Sequence, residues 1–150
     1  MIGTMRPVPV CLTLLLSCAA AGCALLSASD VSQIMGTLVD PAANAIWRSV
    51  STSVTADGVK ETFPRTDQEW TELRKAASRL AEGGNLLKNE NRASGNSEWM
   101  KWAQSLVDAS VATLKAVDAK SPDQVMAAGE LIYDACIGCH GRYSMMTPPP

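Results

Sequence analysis

The stretch Cys136-Ile137-Gly138-Cys139-His140 constrains this chain more than any other, because its chemistry requires one local shape. Two cysteines three positions apart project from the same side of a helical turn. C-x-x-C-H is the pattern of covalent c-type haem attachment. The thiols reach the two vinyl groups of one porphyrin, and the adjacent imidazole offers a nitrogen to the iron as axial ligand. His140 is the single histidine among 150 residues. One covalent haem c, held by Cys136 and Cys139 with His140 on the metal, is therefore the expected cofactor. Structural zinc takes four ligands, usually as two separated pairs, and no second Cys/His pair lies downstream of Cys23. A thioredoxin-like dithiol sits at a helix N-terminus in a βαβ context, and no strand pattern precedes this motif.

The N-terminus reads as an export signal. Met5-Arg6 gives a weakly basic start, Val8 to Leu16 is apolar apart from Pro9 and Thr13, and small residues follow up to Cys23. A short apolar run closed by small residues is a cleaved leader rather than a span. Ala20-Ala21-Gly22-Cys23 resembles the lipobox of bacterial lipoproteins, with Leu15-Leu16-Ser17-Cys18 a weaker second candidate. The expected boundaries are a signal peptide at 1–22 and one domain at 23–150, with Cys23 carrying lipid. Two alternatives stay open: ordinary signal cleavage with Cys23 unmodified, and an uncleaved anchor over Pro7 to Leu26, which two prolines disfavour. Under the lipoprotein reading, Cys11 and Cys18 leave with the leader, Cys23 takes lipid and the last two cysteines take haem. No thiol is left over. The expected location is the periplasmic side of a bacterial membrane, lipid-anchored or soluble.

The full chain has a formal net charge of −2, with both signs spread along it. No basic patch suits nucleic acid, so that partner class is set aside. Apolar spacing predicts helices. Thr66-Asp67-Gln68-Glu69 is a capping box, followed by Trp70, Leu73, Ala77, Leu80 and Leu87 on one face. Gly83-Gly84 weakens this helix and marks a place for a bend. A second helix starts near Asn96 or Ser97 with a stripe of Trp99, Trp102/Ala103, Leu106, Ser110, Leu114 and Val117. A third starts at Ser121-Pro122-Asp123-Gln124 and carries Val125, Ala128/Gly129, Ile132, Ala135/Cys136 and Cys139 on one face. The earliest segment, Asp30 to Val54, has helical spacing interrupted by Asp40-Pro41. It fits one kinked helix or two helices joined near Val39. Thr52 to Arg65 is read as a connection without strands. The expected fold is all-α, a four-helix bundle with a C-terminal haem-attachment helix.

A C-x-x-C-H near the C-terminus, on the last helix of such a bundle, resembles the class II cytochromes c, the cytochrome c prime family. Gly129, Tyr133, Cys136, Cys139, His140 and Tyr143 carry the resemblance; it departs at Ser144, where the family usually has a basic residue. It implies a distal face supplied by the first helix, which in low-spin members presents a methionine. Met35 occupies that region, and a thioether paired with histidine raises the haem potential. The alternative is that Met35 only fills the core. Of the other methionines, Met126, Met100, Met145 and Met146 are poorly placed for the distal side. Trp47, Trp70, Trp99 and Trp102 are expected mostly in the core. Tyr133 is read as either a porphyrin neighbour or a helix-face residue, and Arg142 as solvated rather than paired with a haem propionate.

The function implied is single-electron transport with no catalytic constellation, hence not an enzyme. The metal set would be His140 and Met35, and the partners would be periplasmic or membrane redox proteins. The N-terminal lipid would meet the membrane, and a homodimer is possible. The alternative is a five-coordinate haem module that binds nitric oxide or carbon monoxide.

Overall fold

Proline 41 sits inside a helix that does not break. Pro41 has no N–H to donate back to the carbonyl of Thr37, four residues earlier. The chain resolves this one residue upstream, where the Asp40 N–H bonds the Met35 carbonyl five positions back. A computed structural model describes residues 28–89 and 95–143. In it, helix α1 (Ala28–Ile34) runs through a π-helical turn (Met35–Val39) directly into α2 (Asp40–Ser49). The three run on as one continuous helical segment, with no stop at Val39. The leader, Cys23, Ser144 and the last two methionines lie outside the described residues.

Three further rods complete an all-α bundle: α3 (Asp67–Leu87), α4 (Ser97–Asp118) and α5 (Pro122–Tyr143). Contacts run from α2 to α3, α3 to α4, α4 to α5 and back from α5 to α2, closing the ring. The predicted start signals form. Thr66 Oγ1 accepts the Glu69 N–H at 3.2 Å, while Glu69 Oε2 accepts the Thr66 N–H at 2.9 Å and the Arg65 N–H at 2.7 Å. These backbone donors, Arg65 first, hold the Glu69 carboxyl below its usual value. Asn96 caps α4 by accepting from Glu98 and Trp99, and Ser121 Oγ accepts the Gln124 N–H at the start of α5. Lys120, with φ +49°, makes the tight reversal between α4 and α5, and its ammonium pairs with Asp67. No helix among the described residues is long and apolar enough to cross a membrane.

Apolar periodicity delivers the core as expected. Ile46, Leu80, Val125 and Ile132 are fully buried. So are Ser110 and Thr113, whose hydroxyls donate to the carbonyls of Leu106 and Ala109 one turn back. Gly83 and Gly84 lie within the continuous helix α3. They let it approach its neighbours, because an added Cβ would come within 2.7 Å of Val39 Cγ2 at Gly83 and 2.8 Å of Val107 Cγ2 at Gly84.

The connection over Thr52 to Arg65 is a β-hairpin rather than an irregular loop. Strands β1 (Ser51–Thr55) and β2 (Gly58–Thr62) pair antiparallel around Ala56-Asp57, with Thr55 opposite Gly58. Every residue of both strands is exposed. A ribbon that buries neither face has no need of the apolar–polar alternation by which strands are recognised in sequence.

Candidate functional site

At the C-terminal end of α5 the four helices border a narrow apolar cleft whose free volume is about 20 Å³. Helix α5 places Ala135, Cys136, Cys139 and His140 on it. The first rod contributes Met35, Val39 and Asp40, α3 contributes Leu87, and α4 contributes Trp99, Trp102, Ala103 and Leu106. The fold thus brings Cys136, Cys139, His140 and Met35 to one cavity from positions a hundred residues apart. Cys23 is the one candidate residue not placed.

The location of Met35 follows from the π turn. A π turn takes one more residue than an α turn and shifts the helical phase beyond it. Met35 opens that turn, is partly buried against the core and borders the cleft. Regular helix on either side buries Ile34 above it and Ala42, Ala43 and Ile46 below it.

Cys136 and Cys139 are half-buried free thiols one turn apart, while His140 is exposed at the mouth of the cleft. Burial, then the Asp40 carboxylate, then Cys139 push the Cys136 thiol up to about 11. Burial raises Cys139 as well. A dithiol used for redox exchange needs a lowered thiol value, commonly supplied by a helix N-terminus. These two cysteines show the opposite shift at the opposite end of a helix. Among the described residues, no three or more His, Cys, Asp or Glu side chains converge as a metal-ligand group.

The indoles divide differently from their reading as core. Trp70 is buried. Trp47 is about one-third exposed and lies against Gly129, its Nε1–H donating to the Gly129 carbonyl at 3.0 Å. A Cβ at Gly129 would stand 3.2 Å from the Trp47 ring, so this glycine permits the α2–α5 contact. Trp99 packs against the core and, with Trp102, borders the cleft. Trp99 donates to the Leu87 carbonyl at 2.7 Å, and its ring meets Tyr143 edge-on at a centroid distance of 5.1 Å. Tyr143 Oη donates to Asn96 Oδ1 at 3.1 Å, and Arg142 pairs with Glu98 at 3.4 Å. The end of α5 is thereby clipped to the start of α4. Tyr133 is exposed on α5, away from the cleft lining. The spacing of Trp99 and Trp102 from Leu106 was the signal in sequence: they continue the buried stripe of α4 to the level of the motif.

The chemistry of the cleft's lining, not its present volume, suits an apolar group. Its walls are mainly aliphatic and aromatic, its two thiols share one helical turn, and an imidazole and a thioether border the same space. No family model matches the sequence, and neither a curated protein nor a solved structure matches it.

Proposed function

We propose that this chain is a periplasmic monohaem c-type cytochrome that carries single electrons, resembling the low-spin class II cytochromes c and tethered to the membrane through lipid on Cys23. A haem bound here would supply the ferric–ferrous couple. Cys136 and Cys139 would hold the porphyrin through thioethers, so neither sulfur would be needed as a metal ligand. His140 would offer its imidazole nitrogen to the iron, and Met35 its thioether. The apolar side chains of Leu87, Ala103 and Leu106 keep water away, and exclusion of water helps set the potential of the couple. With both ligands bound, the iron would change charge with little rearrangement, which suits electron transfer.

The observation that carries this reading is the meeting of Met35 with the C-x-x-C-H motif in one cleft. The protein should be produced in a host able to attach haem c, then denatured and resolved by gel. Haem should stay with the polypeptide, and joint replacement of Cys136 and Cys139 by alanine should abolish that retention. A wild-type chain without covalent haem, or a double variant that keeps it, would overturn the proposal.

A further inference from the structure

Helix α5 carries large apolar side chains on its outward face as well as its inward one. Met126, Glu130, Tyr133 and Ile137 recur at steps of four, three and four, so they share one stripe of the helix. Met126, Tyr133 and Ile137 are 40%, 56% and 50% exposed, and Leu131, further round the same outward face, is 52% exposed. Single exposed apolar side chains are ordinary, whereas several together on one helix face mark an interaction site. Trp47 widens the patch toward α2, because its ring lies against Gly129, one turn from both Met126 and Tyr133.

The formal charges on this face are of one sign. From Pro122 to Gly141 the helix carries Asp123, Glu130 and Asp134, all exposed, and no lysine or arginine. Four carboxylates elsewhere are paired: Asp67 with Lys120, Glu72 with Lys75, Asp118 with Arg74 and Glu98 with Arg142. Among the described residues, none of the three on α5 has such a partner. Glu130 and Asp134 are four positions apart and repel each other, which disfavours the helix that carries them. Asp40 adds a fourth exposed carboxylate on the α2 side, bordering the cleft with Cys136. The cations of the neighbouring helices stand aside. Arg48 borders the groove toward α3, and Arg142 is engaged with Glu98. Lys101 stands 5.1 Å over the Trp102 ring on the α4 flank, where that ring leaves no room for a Cβ at Gly138.

We propose that the outward face of α5 docks a redox protein whose own surface is basic around an apolar centre. The inference rests on the haem reading above and gives the partner its chemistry. Ile137 lies inside the C-x-x-C-H motif, so a protein seated on this stripe comes beside the porphyrin edge that Cys136 and Cys139 would hold. One electron then passes from ferrous haem to an oxidised one-electron centre of the partner, leaving ferric haem and a reduced partner. Opposite charge speeds the encounter and sets its orientation, while the apolar centre supplies the contact. The same charges disfavour other occupants. A second copy would bring carboxylates against carboxylates, and a surface of anionic lipid would be repelled.

The test mixes ferrous holoprotein in stopped flow with a ferric, lysine-rich mitochondrial-type cytochrome c as the probe, and reads the second-order rate of electron transfer. The rate should fall as salt rises. Joint replacement by Glu130→Lys and Asp134→Lys should lower it about tenfold at low salt. Tyr133→Ser with Ile137→Ser should lower it at high salt too, where charge is screened. Glu82→Lys with Asp108→Lys makes the same change in net charge at exposed sites on α3 and α4, and should alter the rate by about twofold at most. An equal fall in both charge-reversed pairs, or no fall in either, would overturn the docking face. A wild type that sediments as a dimer and becomes monomeric in Ile137→Ser would overturn it as well, since a second copy then covers the face. Each of these results leaves the haem reading standing. Wild-type protein without covalent haem would overturn both.

Discussion

Ile46, Leu80, Val125 and Ile132 are fully buried where the helices meet, whereas at the level of Cys136 the same helices border a narrow cleft. The difference lies in the size of the residues between them. Ala42, Ala43, Ala77, Ala109, Ala116 and Ala128 are all buried, and Gly129 allows closer approach still. Small side chains bring helix axes together and let the few large ones interdigitate at high density. At the cysteine-bearing end, Met35, Leu87, Trp99 and Trp102 are large and unequal, and with Ala103, Leu106 and Ala135 they leave a narrow cleft between them. Stability belongs to the first region and chemistry to the second.

The separation can be broken most severely at Ile132, one turn before Cys136. Ile132→Ala should cost about 2–5 kcal/mol in denaturant unfolding, because a fully buried branched chain leaves a cavity. Haem should still attach. A loss well under 1 kcal/mol would mean that the middle of the bundle is not where stability resides.

Met35→Ala sharpens the contrast from the other side. Met35 is only partly buried, so the expected stability loss is smaller, about 1–2 kcal/mol. The spectrum should change instead. The wild-type protein is expected to be low-spin, and the variant to become high-spin, bind carbon monoxide readily and lose potential as the thioether is removed. A high-spin wild type would remove Met35 from the iron and favour the gas-binding alternative. An unchanged spectrum with lost stability would return Met35 to the core.

The smallest effect is expected far from both regions. Thr66→Ala should cost about 1 kcal/mol in thermal or denaturant unfolding, the usual value of a lost N-cap, with no change in the haem spectrum. The reciprocal support from Glu69 has a definite pH sense. Its folded-state value is depressed by the Arg65 and Thr66 N–H groups, so that support is present above the ordinary 4.5 and is lost as pH falls through the lowered value.

Much of the bundle was legible along the chain. Thr66-x-x-Glu69, Asn96 and Ser121-Pro122 start helices where their side chains satisfy free N–H groups, an interaction three residues long that needs no partner elsewhere. The stripes of α3, α4 and α5 were legible because burial on one face repeats with the helical period. The hairpin was missed because it buries neither face. The two glycines of α3 were read as weak points because propensity is local, whereas their contacts with Val39 and Val107 are not.

The sequence by itself determined which chemistry the chain can hold: two thiols and an imidazole on one turn at the end of a helix, where covalent spacing alone sets their relation. Which residues complete that site was decided only in three dimensions. Met35 borders the cleft because a π turn answers the missing N–H of Pro41. Trp102 borders it because Gly138 has no side chain to keep the indole away. Each is a contact between segments distant in sequence, fixed by volume and by unsatisfied hydrogen bonds that no local pattern records.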